Sequence, residues 1–179
     1  MGKQILILSG SPRKGGNSDT LCDEFMRGAL EAGHQVEKIR VAEKQVDYCH
    51  ACYGCKGTGH CVIDDDMAPI LEKIIACDIM VLASPVYFYA IDAQLKTVLD
   101  RTLARWLEVK NKEFYYIITS AEEGEDAMET TLACFRGYAA CVEGAVEKGV
   151  LFCGGVHQKG EVKSRKIMEE AFAMGFGIA

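Results

Sequence analysis

Residues 4–18 read QILILSGSPRKGGNS, and they set the architecture of the whole chain. The run from Gln4 to Ser9 is short and apolar, which predicts a buried β-strand that ends at Gly10. A polar loop follows, and Asn17 or Ser18 is expected to cap the helix after it. A strand, a polar loop and a helix in this order indicate the start of a parallel α/β sheet.

The same alternation of strands and helices continues to the end of the chain. The later strands are predicted over residues 35–41, 79–83, 114–120 and 145–153. The helices are predicted from Asn17 or Ser18 to Gly33, from the Asp64–Asp66 run through Ile75, and over residues 94–107, 127–142 and 161–174. We therefore expect one α/β domain over residues 1–179, with a doubly wound parallel sheet of five strands. In such sheets ligands bind beyond the carboxyl ends of the strands, so the loops that follow the strands are the informative ones.

The composition excludes several classes of protein. The net charge is -6, and the Lys and Arg residues are scattered, which argues against a nucleic-acid groove. The apolar run from Ile5 to Leu8 is too short for a signal peptide, and no stretch is long enough to span a membrane. A cytoplasmic location is expected, so the nine cysteines indicate metal or redox chemistry rather than structural disulfides.

The loop after the first strand has the composition of a phosphate site at a helix N-terminus. The candidate donors to phosphate oxygens are Ser9, Ser11, Asn17 and Ser18, and Arg13 can add a charge-assisted bond. A Walker A loop is excluded, because Gly16 and Asn17 stand where Lys and Ser or Thr are required. A dinucleotide-binding glycine pattern is excluded by Pro12. The alternative is a flexible turn between a strand and a helix.

Two more loops carry candidate ligand-binding residues. Pro85, Val86, Tyr87 and Phe88 follow the third strand, where a proline and aromatic side chains favour contact with a planar ring. The alternative is that these aromatics pack under the next helix, which we favour for Phe88. Three small residues, two of them polar, end the fourth strand and can offer backbone N–H groups: Thr119, Ser120 and Ala121.

Three stretches together resemble the NAD(P)H-dependent FMN reductase family of the flavodoxin-like superfamily. They are GSPRKGGNSDTL at residues 10–21, SPVYFYAIDAQLKTVLDR at residues 84–101 and GVHQKGEVKSRKIMEEA at residues 155–171. The resemblance implies a flavodoxin-like sheet with strand order 2-1-3-4-5, NAD(P)H as a co-substrate and a homodimer or homotetramer. It also implies that FMN carries the chemistry, so that no side chain is a catalytic residue.

The resemblance further assigns positions around the FMN. It implies that the phosphate is bound by Ser9, Ser11, Arg13, Asn17 and Ser18. It implies that Pro85, Val86, Tyr87 and Phe88 border the ribityl chain and the ring, and that Thr119, Ser120 and Ala121 close the other side of the ring.

A loop over residues 46–62 contains Cys49, Cys52, Cys55 and Cys61 in the spacing C-x2-C-x2-C-x5-C. Thiolates at such short intervals can bind the corners of one iron–sulfur cluster. The spacing resembles that of the iron–sulfur flavoproteins, a branch of the same family, which implies a [4Fe–4S] cluster. Zinc is a competing metal, with His50 and His60 as additional candidate ligands, and a loop of empty or oxidised thiols is a further alternative. We expect the helical cysteines to be small core residues: Cys22, Cys77, Cys134 and Cys141.

Three functions are consistent with these residues. The first is an FMN-dependent oxidoreductase that moves electrons from NAD(P)H to a small acceptor such as a flavin or a quinone. The second is an iron–sulfur flavoprotein that exchanges electrons with ferredoxin. The third belongs to another class, a redox-sensing or zinc-sensing binding module without flavin.

Overall fold

The computed structural model of the protein describes residues 2–179. A five-stranded parallel sheet has the order β2-β1-β3-β4-β5, which confirms the predicted doubly wound, flavodoxin-like fold. The strands are β1 (Gln4–Ser9), β2 (Gln35–Arg40), β3 (Ile79–Pro85), β4 (Glu113–Thr119) and β5 (Val146–Cys153). The α-helices are α1 (Asn17–Glu31), α2 (Met67–Ala76), α3 (Ala93–Arg101), α4 (Glu129–Ala139) and α5 (Ile167–Phe176).

The two central strands explain why their sequences are apolar without interruption. Side chains of β1 and β3 alternate between two separate core layers, and both layers are covered by helices. Helices α1 and α5 cover one face of the sheet, and they approach closely at two glycines. A Cβ atom on Gly28 would lie 2.1 Å from the carbonyl oxygen of Phe172, and one on Gly175 would lie 2.1 Å from that of Phe25. Alanine at either position would force these two helices apart.

Several predicted helices are shorter than expected. Helix α3 ends at Arg101, and a 3-10 segment with a kink at Arg105 continues to Glu108. The predicted last helix is broken at Arg165, whose extended backbone lets its guanidinium donate 2.8 Å to the carbonyl oxygen of Gly154. Helix α4 ends at Ala139 rather than Val142. In each case the hydrophobic periodicity of the sequence predicts a longer helix than the structure has, because side-chain hydrogen bonds or local turns end the helix earlier.

Two predictions from the sequence are wrong: the side-chain cap of α1 and the burial of Cys141. Gly16 is the residue before α1, and no side chain caps this helix. Among the four helical cysteines, Cys22 and Cys77 are buried as predicted and Cys134 is half-buried. Cys141 is exposed because it lies beyond the end of α4. Within residues 2–179, no helix combines the length and the apolar character that crossing a membrane requires.

Candidate functional site

A cavity of about 250 Å³ lies where the loops after β1, β3 and β4 meet. This is the point at which the strand order reverses, between β1 and β3, and therefore the place where doubly wound sheets bind ligands. Nine of the predicted site residues line the cavity: Ser11, Arg13, Asn17, Ser18, Pro85, Val86, Tyr87, Thr119 and Ala121. The other wall residues are Gly16, Val156 and His157.

The loop after β1 is a tight turn closed by its own hydrogen bonds. The Gly16 amide donates 2.8 Å to the carbonyl oxygen of Arg13, and the Arg13 amide donates 3.2 Å to Ser11 Oγ. A Cβ atom on Gly16 would lie 2.9 Å from that same Arg13 oxygen, so the position excludes larger residues. The turn leads directly into α1, whose first N–H groups have no partner within the helix. The arrangement suits an anion.

Ser18 contributes an unpaired donor to this wall. Its side chain is buried with 1% exposure, and its hydroxyl has no hydrogen-bond partner. A buried hydroxyl without a partner costs free energy, and a ligand oxygen in the cavity would remove that cost. The cavity therefore fits a phosphate group on an observation that is independent of any motif.

Asn17 lines the cavity, but its side-chain amide is engaged in hydrogen bonds to the loop after β5. Its Nδ2 donates 2.9 Å to the carbonyl oxygen of Gln158, and its Oδ1 accepts from the amides of Gly160 and Val162 at 3.1 and 3.3 Å. The side chain therefore joins α1 to the loop after β5. This long-range role also explains why Asn17 does not cap the helix.

Ser9 lies under the loop instead of in the cavity wall. Its hydroxyl is fully buried and donates 3.1 Å to Asp19 Oδ1. Asp19 also accepts 2.8 Å from the Gly15 amide and pairs with Lys38 and Arg40 at 3.0 and 3.2 Å. Burial, the largest influence, raises the pKa of Asp19, but the Gly15 amide, Lys38 and Arg40 together hold it below its usual value. Asp19 thus stays ionised and fixes the loop from below.

Asp92 is a second buried carboxylate beside this loop. Its Oδ1 accepts 2.9 Å from the Leu95 amide and caps α3, while its Oδ2 is buried without a partner. A Cβ atom on Gly10 would lie 2.1 Å from Asp92 Oδ2, so the loop packs directly onto this carboxylate. Burial is the largest influence on its pKa and raises it above the usual value.

The turn after β3 displays two aromatic residues in an unusual backbone conformation. Tyr87 and Ala90 exchange two backbone hydrogen bonds of 3.0 Å, and the residues between them have positive φ, +48° at Phe88 and +59° at Tyr89. The prediction that Phe88 packs under the next helix is wrong, since its side chain is fully exposed at 103%. The tight turn leaves Phe88 at the tip, and Phe88 does not line the cavity.

The loop after β4 closes the opposite side. The Val86 amide donates 2.8 Å to the carbonyl oxygen of Thr119, which joins the two loops across the cavity. Ser120 is buried and does not line the cavity, and its Oγ accepts 3.1 Å from the Glu122 amide. Glu122 in turn accepts 2.8 Å from the Tyr89 hydroxyl, and this bond is the largest cause of the raised pKa of Tyr89.

Sequence reasoning missed the contribution of the loop after β5. Val156 and His157 line the cavity, and the His157 carbonyl oxygen accepts 2.9 Å from Arg13 Nη1. The Val156 amide donates 2.9 Å to the carbonyl oxygen of Ser120. Both residues fall within residues 155–171, a stretch that carries the family resemblance, but no local pattern marked them as cavity residues.

The cysteine loop follows β2 at the same edge of the sheet. Cys49, Cys55 and Cys61 are half-buried, Cys52 is exposed, and all four are free thiols. Among residues 2–179, no three His, Cys, Asp or Glu side chains come close enough together to hold a metal ion. The thiols have the chemistry that an iron–sulfur cluster needs. Their assignment as ligands stays a prediction.

Comparison with known proteins agrees with these features. The family model described as NADPH-dependent FMN reductase matches residues 4–146. An iron–sulfur flavoprotein of Archaeoglobus fulgidus is 40% identical over 101 residues, which cover 56% of this chain and 46% of that protein. An iron–sulfur flavoprotein of Methanosarcina thermophila is 40% identical over 100 residues, which cover 56% of this chain and 52% of that protein. The chain spans about half the length of these curated relatives.

A solved structure shows the same fold across nearly the whole chain. It is an NAD(P)H:quinone oxidoreductase from Methanothermobacter marburgensis, with a TM-score of 0.74 and 17% identity, covering 98% of this chain and 96% of that one. At this identity the likeness concerns the fold alone. The match of the family model over residues 4–146, together with the sheet order and the cavity, makes this chain a member of the NADPH-dependent FMN reductase family.

Proposed function

We propose that residues 1–179 act as one FMN-binding domain and that FMN occupies the cavity at the carboxyl ends of β1, β3 and β4. The observation that carries this proposal is the buried, unpaired Ser18 hydroxyl beside the N-terminus of α1. A phosphate there accepts from Ser18, from the Ser11 hydroxyl and from the first N–H groups of α1. Arg13 lines the same wall and adds a charge-assisted bond.

The remaining walls suit a planar ring with polar edges. Pro85, Val86 and Tyr87 form one side of the cavity, and Thr119 with Ala121 forms the other. Because the amide of Val86 bonds to Thr119, the two sides keep a fixed separation. Ser9 and Ser120 support this geometry from beneath, and Asn17 holds the loop after β5 in place.

In this proposal the protein is a flavin-dependent oxidoreductase that takes electrons from NAD(P)H and passes them to a small acceptor such as a flavin or a quinone. When bound, FMN supplies the chemistry, because its ring accepts two electrons and returns them singly or in pairs. The side chains around the cavity bind and orient the flavin and leave one edge open for the partner molecule. The proposal includes a cytoplasmic location and a homodimer or homotetramer, as the family resemblance implies.

The experiment is to purify the protein, saturate it with FMN and follow oxidation of NADH and NADPH with free flavin or a soluble quinone as acceptor. We expect turnover that depends on added FMN with at least one of the two nucleotides. Flavin binding without turnover by either nucleotide would contradict the reductase and leave an electron carrier. Absence of flavin binding would favour a redox-sensing or zinc-sensing module.

A second candidate function is that of an iron–sulfur flavoprotein, which exchanges electrons with ferredoxin through a [4Fe–4S] cluster on Cys49, Cys52, Cys55 and Cys61. It is favoured by the four free thiols in one loop and by the 40% identity to iron–sulfur flavoproteins. The loop follows β2 and the flavin cavity follows β1, so both groups would lie at one edge of the sheet. Anaerobic purification with iron and sulfide assays tests it, and about four iron atoms per chain are expected for a cubane.

A further inference from the structure

The last residue of α3 connects this helix to the cysteine loop. The Arg101 side chain is 1% exposed, and its Nη1 donates 2.6 Å to the carbonyl oxygen of Asp47. Its two terminal nitrogens also donate to both oxygens of Asp65, at 2.8 and 2.9 Å, in a bidentate pair. Bidentate pairs of this kind are strong and directional.

These bonds hold the two ends of the loop together. Asp47 precedes the first cysteine, Cys49, by two positions, and Asp65 follows the last one, Cys61, by four. Asp65 Oδ2 also accepts 2.9 Å from the Asp47 amide, so the two ends bond to each other as well as to Arg101. All four cysteines therefore lie in a segment whose entry and exit are fixed to one point.

The segment between these ends is held differently. Apart from a 3.5 Å bond from Arg101 Nη2 to the Ile63 carbonyl oxygen, its hydrogen-bond partners within residues 2–179 are near in sequence. The Lys56 amide donates to the Tyr53 carbonyl oxygen at 3.0 Å, and the Gly59 amide donates to the Cys55 carbonyl oxygen at 3.1 Å. Cys52 in this segment is exposed. Arg101 thus supplies the hydrogen bonds that join this segment to α3.

One donor of Arg101 is left over. Its Nε is buried and has no hydrogen-bond partner, which is costly for a charged group. The Asp47 carbonyl oxygen and the two Asp65 oxygens are therefore the main acceptors that compensate this buried charge, which ties the guanidinium to both ends of the loop.

We propose that Arg101 is the positioning residue of the cysteine loop, fixing both ends of the loop to α3 and thereby setting where its four thiols lie relative to the sheet. The proposal stands on the hydrogen bonds of the loop and holds whether or not the thiols bind a metal.

The test uses the FMN-saturated protein without metal and measures the rate at which iodoacetamide alkylates each cysteine, read out by mass spectrometry. Arg101→Lys keeps the charge but cannot bond to both ends of the loop at once. We expect Cys49 and Cys61 to react about tenfold faster or more, the change that corresponds to losing roughly 1.4 kcal/mol of protection. Rates equal to those of the unmodified protein would overturn the positioning role.

Two further variants keep this test decisive. Arg136→Lys alters another bidentate pair, with Glu147 at 2.8 and 2.7 Å, on an exposed surface, and is expected to leave the alkylation rates unchanged. Asp65→Asn removes the charged partner and keeps Arg101, so it should accelerate alkylation in the same direction by a smaller factor. If Arg101→Lys does not fold, the alkylation rates of Asp65→Asn provide the test in its place. Equal acceleration in Arg136→Lys and Arg101→Lys would mean a general loss of stability and would overturn the proposal.

Discussion

The loops after β1 and β2 leave neighbouring strands at one edge of the sheet, yet they are fixed in opposite ways. Residues 10–16 are fixed at several points, because the Gly10 amide donates to the Ala83 carbonyl oxygen, the Arg13 amide to Ser11 Oγ and the Gly15 amide to Asp19. Asp19 also accepts from Ser9 and Lys38 and forms an ion pair with Arg40. The cysteine loop is held at its two ends by Arg101, and the bonds within it are local. Both loops are rich in glycine and polar residues.

The difference teaches what each loop is suited to. A loop whose backbone is fixed along its length offers a set of N–H groups in constant positions, which is what recognition of a phosphate requires. A loop fixed only at its ends leaves its thiols free to move together onto a metal. The following predictions test this comparison, beginning with the largest effect.

Replacement of Asp19 should cause the largest change. In Asp19→Ala the half-buried cations Lys38 and Arg40 lose their shared carboxylate but keep Asp23 and Glu43. The Ser9 hydroxyl and the Gly15 amide lose a charged acceptor, and each such loss costs about 1.5–3 kcal/mol of unfolding free energy. Urea unfolding measures this cost. Asp23→Ala is the matched control, because Asp23 also pairs with Lys38 but its side chain is 56% exposed, and we expect a change below about 1 kcal/mol. Equal effects would mean that the loop after β1 is not fixed by Asp19.

The effect of Asp19 should depend on pH. Its folded pKa lies below the unfolded value, so its stabilisation is present above the unfolded pKa and is lost as the pH falls through the folded pKa. The stability difference between the unmodified protein and Asp19→Ala should therefore shrink below about pH 4. A difference that stays constant down to acid unfolding would contradict the ionised state of Asp19.

Arg13→Ala should weaken FMN binding without destabilising the fold. Arg13 lines the cavity, and its fold-supporting bond is a single one to the carbonyl oxygen of His157 at 2.9 Å. Loss of a hydrogen bond to a charged group costs about 1.5–3 kcal/mol, or roughly tenfold to a hundredfold in affinity. Flavin fluorescence titration measures it. Unchanged affinity would remove Arg13 from the phosphate site.

Asp92→Asn should stabilise the protein at neutral pH. Asparagine still caps α3 through its Oδ1 and removes the buried negative charge, while its amide nitrogen takes the place of the unpartnered Oδ2, so a gain of about 1 kcal/mol is expected. Because the folded pKa of Asp92 is raised, the penalty is absent at acidic pH and develops as the pH rises through the folded pKa. Thermal unfolding of both proteins at several pH values checks this. A gain in stability that is the same at acidic and neutral pH would contradict the assignment.

Ser18→Ala separates binding from stability. The variant removes a hydroxyl that has no partner in the protein, so the flavin-free form should be as stable as the unmodified one or slightly more stable. FMN affinity should fall by about 1 kcal/mol, or roughly fivefold. Calorimetry of the flavin-free protein and a flavin titration give the two values. A loss of stability with intact affinity would show that Ser18 serves the fold.

Phe88→Gly should give the smallest change, and in the stabilising direction. Phe88 has φ of +48° and an exposed ring, so glycine relieves a left-handed conformation at little loss of packing. A gain of up to about 1 kcal/mol is expected in urea unfolding. Phe88→Ala is the control, because alanine keeps the strain and should give no such gain. Equal stability of the two variants would contradict the account of strain.

The elements were predictable because buried parallel strands have a distinct composition. The apolar runs at Ile5–Leu8 and Ile79–Ala83 located β1 and β3, and the residue types after them located the cavity. The predictions that failed depended on contacts between residues that are distant in sequence. Asn17 looked like a helix cap, but its amide bonds to residues 158–162, and nothing local in the sequence signals that pairing.

Buried ionic contacts were also beyond the reach of sequence patterns. Arg101 stands at the end of an ordinary amphipathic helix, and its partners Asp47 and Asp65 are separated from it by the whole of β3. The prediction that Phe88 is buried failed for the opposite reason, because a local turn leaves this aromatic side chain exposed. Hydrophobic periodicity reports on which elements form, and it carries no information on which charges meet.

The most direct test of the central claim is to compare the affinities of FMN and riboflavin for the flavin-free protein, since the two differ only in the phosphate. We expect FMN to bind at least about a hundredfold more tightly, and we expect Arg13→Ala combined with Ser18→Ala to remove most of that difference. Equal affinities of FMN and riboflavin, or a difference that survives the double substitution, would contradict a phosphate site in the loop after β1.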